Sequence, residues 1–160
     1  MNQIQFLQVG KDDAKEIAAL TGELLQEIMQ KTGQAAFCFD EHETVQRLRE
    51  FIAEGHYRVI AAKIDRQFIG FASLYPSYAL YAEGHFGTLA EFYVKPEYRR
   101  KGVGKMLIQK VVDYGCTQGW KRLEVTTPSL PEFDQTLAFY QREGFEITGG
   151  RKLKRLLETA

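Results

Sequence analysis

The amino-acid sequence predicts an α+β fold, with a central mixed, mostly antiparallel sheet of about seven strands and about four flanking helices. Three observations lead to this prediction. Apolar residues recur at helical spacing in two early segments, β-rich runs separated by turn residues follow, and one strand–helix–strand unit interrupts them. The chain has 160 residues and no linker-like stretch, so we expect a single domain over 1–160.

The N-terminal third predicts one strand and two helices. Residues 4–9 are apolar and bounded by glycine, which is typical of a short strand. Asp12 or Asp13 can cap a helix that ends near Gly33, because a short carboxylate accepts free backbone N–H groups. A second helix is predicted over residues 41–54, where the apolar residues share one face.

Strands dominate the middle of the chain. Residues 57–64 and 68–74 predict an antiparallel pair around the turn at Asp65. A third strand is predicted over residues 87–94. It stops before Pro96, because proline has no N–H to donate to a sheet.

The C-terminal half predicts a crossover followed by a hairpin. A helix over 102–118 leads to a buried strand over 123–126, and this crossover should be right-handed. A short helix over 136–142 follows, and then two strands are predicted at 145–148 and 152–157.

Composition excludes several classes of function. Lys plus Arg and Asp plus Glu both number 21, so no overall charge favours nucleic acid or a membrane as partner. The two cysteines and three histidines fit no metal-ligand spacing, and we expect no metal. The N-terminus lacks the basic and apolar regions of a signal peptide, which favours the cytoplasm.

Residues 91–105, with the sequence EFYVKPEYRRKGVGK, carry the clearest chemical signal. They join a predicted strand to a predicted helix, whose N-terminus offers free N–H groups and a partial positive charge. Glycine leaves room for an anion to reach those groups, and neighbouring cations attract it. The sequence therefore predicts a phosphate site formed by Arg99, Arg100, Lys101, Gly102, Gly104 and Lys105.

Other phosphate loops fit this segment less well. A Walker loop needs serine or threonine after Gly-Lys, and Met106 stands there. A dinucleotide fingerprint needs a further glycine where Leu107 stands. A basic, flexible turn without a ligand stays open as the alternative.

Two segments resemble a known family. Residues 99–104, RRKGVG, resemble the R/Q-x-x-G-x-G/A signature of the GNAT superfamily of N-acetyltransferases, and residues 94–98, VKPEY, resemble its V-x-P-x-Y/W lead-in. Residues 138–145, AFYQREGF, resemble its F-Y-x-x-x-G-F segment. The resemblance spans most of the chain and implies acetyl-CoA as co-substrate, without a metal.

The resemblance implies direct transfer of acetyl from acetyl-CoA to a primary amine within a ternary complex. The backbone of Phe92, Tyr93 and Val94 would hold the pantetheine arm, with a backbone N–H near Val94 facing the oxyanion. Thr127 stands where many members have asparagine and could offer its hydroxyl to the same arm. The pyrophosphate would lie on backbone N–H groups of Arg99, Arg100, Lys101, Gly102, Val103, Gly104 and Lys105.

Two residues are candidates for proton transfer. Tyr140 is the implied general acid toward the CoA thiolate, because an ordinary tyrosine is protonated at neutral pH. Its alternative is an ordinary half-buried aromatic. Glu91 is the candidate base, acting through a water, and its alternative is a carboxylate that orients the substrate or pairs with a cation.

The sequence leaves rival functions open. A non-catalytic acyl-CoA-binding sensor would keep the loop and not need Tyr140, while a nucleic-acid-binding module is disfavoured by the neutral charge. The acceptor could be a small amine, an antibiotic, an amino acid, or a protein N-terminus or lysine. Tyr75, Tyr78, Tyr81 and His85 could line its site. The resemblance also leaves a homodimer open.

Overall fold

The computed structural model describes residues 3–158. One five-stranded sheet organises them, and its strands follow one another in chain order from β1 to β5. The first four strands pair antiparallel and β5 joins β4 in parallel. The strands are β1 (Ile4–Val9), β2 (Arg58–Ile64), β3 (Gln67–Ala79), β4 (Gly84–Val94) and β5 (Leu123–Val125).

The described residues form four α-helices. Two lie between β1 and β2, α1 (Ala14–Thr32) and α2 (Glu41–Ala53); α3 (Val103–Thr117) lies between β4 and β5, and α4 (Asp134–Arg142) follows β5. The N-terminus of α1 follows Asp13, whose side chain makes no capping hydrogen bond, so the predicted carboxylate cap is wrong there. Asp40 does cap α2, since it accepts the N–H of Glu43 at 2.8 Å. Gly33 ends α1 in the left-handed conformation, as its position predicts.

The sheet separates two apolar cores. On one face α1 and α2 pack through Ile17, Leu20 and Leu48 onto the strands. On the other face α3 and α4 pack through Val103, Leu107, Val111 and Tyr140. These are the apolar faces that the helical spacing predicts for α1, α2 and α3.

Strand β4 carries a bulge next to the point where β5 leaves it. Ser73 of β3 pairs with Glu91, but the next residue of β3, Leu74, pairs with Leu89, so Ala90 is an extra residue. A bulge bends its strand. The β5 pairing covers only residues 87–89 of β4, and beyond Ala90 the two strands no longer pair in the structure.

The predicted fold class is confirmed, with five strands in place of about seven. The two strands predicted at 145–148 and 152–157 do not form, and this segment runs without regular structure after α4. A strand needs a neighbour with which to pair, and the apolar pattern that suggested these strands does not supply one. The predicted strand at 68–74 is instead longer, because β3 and β4 continue as a hairpin to Ala79 and Gly84.

Within residues 3–158, no helix has both the length and the apolar character that crossing a membrane requires. The same described residues contain no group of three or more histidine, cysteine, aspartate or glutamate side chains placed to hold a metal ion.

Candidate active site

The turn between β4 and α3 places unpaired backbone N–H groups at the surface. Arg100 and Gly102 both have positive φ, 63° and 83°, which turns the chain sharply into the helix. The first hydrogen bond of α3 runs from the Met106 N–H to the Gly102 carbonyl at 3.0 Å, and Gly102 has no side chain to cap the helix. The N–H groups of the first turn therefore have no partner within the helix and are available to an anion.

The cations of this turn divide into two kinds. Arg100, Lys101 and Lys105 are exposed around the helix N-terminus. Arg99 points the other way, because its guanidinium binds both carboxylate oxygens of Glu27 on α1, at 2.7 and 3.2 Å. Its Nε also donates to the Val94 carbonyl at 2.8 Å. Arg99 therefore ties the turn to α1, and only its backbone is free for a phosphate.

The two glycines of the signature have different roles. A Cβ on Gly102 would meet nothing within 4 Å, so this glycine is needed for its positive φ. A Cβ on Gly104 would lie 3.2 Å from the ring of Phe139 and 3.7 Å from that of Phe92. Gly104 therefore lets α4 pack against α3, a role for this glycine that its position in the loop did not predict.

The edge of β4 beyond the bulge is open. The Lys95 N–H donates to the Ile69 carbonyl at 2.8 Å, and Val94 is opposite Gly70 in the register. Peptide groups alternate in direction along an antiparallel strand, so those of Phe92 and Val94 point away from β3. They point to the side where β5 no longer pairs with β4. An extended ligand could pair with β4 at this edge.

A cleft of about 420 Å³ lies between β5, α4 and the C-terminal segment. Thr127 and Tyr140 both line it, so the structure brings these two predicted residues together. The ring of Tyr140 is only 5% exposed and contacts the rings of Phe92 and Phe145, with centroids 6.0 and 5.4 Å away. Burial raises the pKa of Tyr140 above its ordinary value of 10.0, so its hydroxyl stays protonated.

Glu91 is half-buried on the opposite face of β4. Burial raises the pKa of this carboxyl above its usual 4.5, although hydrogen bonds from Ser73 and Tyr57 oppose the rise. A carboxylate whose pKa moves toward neutrality is better matched to accept a proton at neutral pH than an exposed one. Glu91 forms no ion pair within residues 3–158, so the alternative of pairing with a cation receives no support.

The open edge of β4 therefore lies between two functional groups. Tyr140 belongs to the core that α3 forms on one face of the sheet, whereas Glu91 is on the face of Tyr93 and Phe71, which α1 and α2 cover. A reacting group placed at the bulge could be approached by a base from one side and by a hydrogen-bond donor from the other. This arrangement suits acyl transfer.

The sequence model of the acetyltransferase (GNAT) family matches residues 23–145. This range is more than half of the chain and includes β4, the turn to α3 and most of the cleft. This chain belongs to the GNAT family.

Individual relatives agree with this assignment. The chain is 32% identical over 98 residues to YhfO, an uncharacterized N-acetyltransferase of Bacillus subtilis (strain 168). That match covers 61% of this chain and 64% of the relative, so the chain spans slightly less than two thirds of the relative's length.

Two solved structures share the fold. An aminoglycoside N-acetyltransferase, AAC(6')-Iy in complex with CoA, gives a TM-score of 0.79 at 21% identity and covers 98% of this chain and 96% of its own. A ribosomal-protein-alanine N-acetyltransferase from Brucella melitensis biovar Abortus 2308 gives 0.72 at 19% identity, covering 96% of this chain and 100% of its own.

In this GNAT protein, the four residues expected to line an acceptor site do not stay together. Tyr75 stacks on Tyr57, with ring centroids 5.9 Å apart, close to Glu91. Tyr78 stacks instead on His85 at 6.0 Å, and Tyr81 lies beside Arg122. Only Tyr75 is therefore placed to contact a group bound at Glu91.

Sequence reasoning missed three residues that contact the candidate site. Ser73 and Tyr57 both bond to Glu91, and Glu27 binds Arg99. Glu27 precedes Arg99 by 72 positions, and no local spacing connects them. Strand alternation could have placed Ser73 and Tyr57 on one face of the sheet, but only the register of three strands puts both beside Glu91.

Proposed function

We propose that this protein is an N-acetyltransferase that transfers acetyl from acetyl-CoA to a primary amine by direct attack in a ternary complex. One observation carries the proposal: the open edge of β4 at residues 92–94 lies between the turn that leads into α3 and the Tyr140 cleft, with Glu91 on the far side. Family membership and the fold shared with a CoA-bound aminoglycoside N-acetyltransferase support it.

The turn fits a diphosphate. The first-turn N–H groups of α3 supply hydrogen-bond donors, and Arg100, Lys101 and Lys105 supply charge. The pantetheine arm would pair with the open edge of β4 through the N–H and carbonyl of Phe92, because Arg99 already binds the Val94 carbonyl, and Thr127 would lie beside the arm. In this proposal Arg99 contributes its backbone and stabilises the turn, because Glu27 and the Val94 carbonyl occupy its side chain.

Acetyl-CoA supplies the acetyl group as a thioester, and the amine nitrogen forms the new C–N bond as the C–S bond breaks. Glu91 takes the proton that the amine loses, through a water. The Val94 N–H stabilises the oxyanion. Tyr140 donates a hydrogen bond to the leaving thiolate. The tyrosine pKa lies above the ordinary thiol value of about 8.5, so Tyr140 stabilises the thiolate without having to give up its own proton fully.

The need for a base depends on the acceptor. A lysine-like amine costs about 4.6 kcal/mol to deprotonate at pH 7, whereas an α-amine costs about 1 kcal/mol. The raised pKa of Glu91 is most useful for the first kind. Solved relatives include enzymes named for aminoglycosides and for a ribosomal-protein alanine, so both kinds of amine belong in the test.

The direct test is acetyl-CoA turnover against a panel of amines, read by release of free thiol. The panel should contain an aminoglycoside, a polyamine, free amino acids, and peptides with a free N-terminus or a lysine. We expect thiol release to depend on one class of amine. Tight CoA binding without turnover on any of them would contradict the proposal and favour an acyl-CoA sensor.

We also propose that the protein forms a homodimer through its C-terminal segment, residues 145–158. Four apolar side chains of this segment are 72–91% exposed: Ile147, Leu153, Leu156 and Leu157. Burying each is worth about 1.5–3 kcal/mol. β5 is the last strand of the sheet, and the sequence pattern of this segment is typical of strands, so a second copy could supply the missing pairing.

The mass in solution tests the dimer. Light scattering should give twice the 18.4 kDa of the chain, and the double variant Leu153→Ser/Leu156→Ser should return to one chain. Leu80→Ser is the matched control, since Leu80 is fully exposed on the β3–β4 connection, away from the segment. A mass of 18.4 kDa for the unaltered protein at all concentrations would contradict the dimer.

A further inference from the structure

The surroundings of Glu91 contain a second layer of polar contacts. Ser73 is 1% exposed, and its hydroxyl makes two contacts with the same residue. Its oxygen accepts the backbone N–H of Glu91 at 3.0 Å, while its proton is donated to the Glu91 carboxylate oxygen Oε1. A hydroxyl has one proton to donate, so the proton of Ser73 is committed to the Glu91 carboxylate while its oxygen binds the Glu91 backbone.

This double contact lies at the bulge of β4. Ser73 and Glu91 are opposite each other, and the extra residue Ala90 directly precedes Glu91 in β4. A bulge interrupts the regular pairing of a sheet, and the N–H of Glu91 is satisfied here by a side chain. Ser73 therefore fixes the place where β4 bends as well as the carboxylate that projects from it.

Tyr57 directly precedes β2 and approaches the carboxylate from that side. Its hydroxyl interacts with the Glu91 carboxylate and favours the charged form of that carboxyl. The ring is held between Phe51 of α2, at a centroid distance of 5.0 Å, and Tyr75 of β3, at 5.9 Å and nearly parallel. A ring packed on both sides has little freedom, so its hydroxyl keeps one direction.

We propose that Ser73 and Tyr57 are positioning residues that hold the Glu91 carboxylate in the single orientation from which it accepts the proton of the acceptor amine. The inference rests on the proposed role of Glu91 as base. A carboxylate offers about four acceptor positions. Ser73 and Tyr57 use two of them, and the others stay available to a water or an amine.

Few titratable groups surround Glu91, so a change in the pKa of its carboxyl can be assigned to a single contact. Tyr57, which precedes β2, interacts with it directly, and Tyr75 from β3 lies behind Tyr57. Tyr93, two residues on, directs its hydroxyl to Glu23 of α1, and α2 presents the uncharged ring of Phe51. Both direct contacts stabilise the charged form, so losing either should raise the pKa of Glu91 further.

The test measures the Glu91 carboxyl itself. In protein labelled with ¹³C at glutamate side chains, the resonance of Glu91 is identified by its loss in Glu91→Gln and titrated in each variant. We expect Ser73→Ala and Tyr57→Phe each to move its midpoint upward by about one pH unit, the size of a lost charge-assisted hydrogen bond. The same midpoint in Ser73→Ala as in the unaltered protein would overturn the proposal.

Ser77→Ala is the matched control. Ser77 also lies on β3 and shares a hydrogen bond with a β4 residue, Thr88, at 2.6 Å, but it is four positions from Ser73. Its loss should leave the Glu91 midpoint unchanged, and melting temperatures report whether each variant folds. A shift in Ser77→Ala equal to that in Ser73→Ala would mean a general disturbance of the strand pair and would also overturn the proposal.

A rate measurement separates this proposal from the proposed function. With the amine that releases most thiol in the panel, the acidic limb of the kcat/KM profile should move upward with the carboxyl midpoint in Ser73→Ala. Full activity of Glu91→Gln would remove the role of Glu91 as base and, with it, this role of its neighbours. A carboxyl midpoint that moves while the acidic limb stays in place would overturn only the positioning role.

Discussion

The two faces of β4 hold their candidate catalytic side chains in place by different kinds of contact. On the α1–α2 face, Glu91 is held by polar contacts from Ser73 of β3 and from Tyr57, which precedes β2. On the α3–α4 face, Tyr140 is held by aromatic rings and lines a cleft. A carboxylate must be kept ionisable, so it needs hydrogen-bond donors, whereas a tyrosine that only donates a hydrogen bond can rely on burial.

Removing the carboxylate should have the largest effect. For a lysine-like amine, we expect Glu91→Gln to lower kcat/KM about 100-fold, because the amine must then lose its proton unaided. The loss should shrink for an α-amine with a lower pKa. Steady-state rates of thiol release on both amines check this, and equal losses on the two would contradict the role of a base.

Removing the hydroxyl on the other face should have a smaller effect. Tyr140→Phe keeps the rings packed, and we expect kcat to fall about tenfold with CoA affinity intact. Calorimetric titration with CoA and thiol-release rates together check this result. Unchanged turnover in Tyr140→Phe would leave the residue a packing aromatic.

A substitution that disturbs only the aromatic face should lower the stability of the protein more than it affects the reaction at Glu91. Gly104→Val places a branched side chain against Phe139, and we expect a net loss of about 1 kcal/mol after the better helix propensity of valine is included. The melting temperature should fall by about 2–4 °C. Gly10→Ala is the control, since its Cβ would meet nothing within 4 Å and its φ is negative.

The smallest expected effect lies on the polar face, at the ion pair of Glu27 with Arg99. Burial pushes the pKa of Glu27 upward, but Arg99, with Lys31, holds it below the ordinary value of 4.5. A carboxyl with a lowered folded pKa stabilises the protein above about pH 4.5, and this contribution disappears as the pH falls through the folded value.

Glu27→Gln should therefore lower the free energy of unfolding at pH 7 by about 0.5–1 kcal/mol, since the pair is partly exposed. As the pH falls through the lowered folded pKa of Glu27, the variant and the unaltered protein should converge at acid pH. Urea unfolding at both pH values checks this. Glu43→Gln is the control, because it removes a more exposed pair with Arg47 and should change the free energy of unfolding little. If Glu27→Gln lowered the free energy of unfolding by the same amount at every pH, the assignment would be contradicted.

Elements with strong local signals could be predicted from the sequence. The boundaries of α2, α3 and β2 agree with the structure to within one or two residues, because capping residues, glycines and periodicity act locally. The motif at residues 99–104 likewise identified the family, which the match over 23–145 confirms. The roles proposed for Glu91, Tyr140 and the turn stay predictions until tested.

What depends on distant neighbours could not be predicted. The bulge at Ala90 is a property of pairing between two strands and has no signature in either one. Arg99 reads as a phosphate ligand in its motif, but its side chain is bound by a helix far earlier in the chain. The segment 145–158 has the composition of strands, yet strand formation requires a partner edge, which the sequence of the segment does not contain.

The order of the strands in the sheet has a consequence for biosynthesis. Strands β2, β3 and β4 are consecutive hairpin neighbours, so Tyr57, Ser73 and Glu91 can meet by short-range closure. The β4–β5 pairing and the approach of Tyr140 must wait for α3 and α4 to leave the ribosome. We therefore expect the sheet around Glu91 to assemble early in translation and the part of the protein around Tyr140 to assemble last.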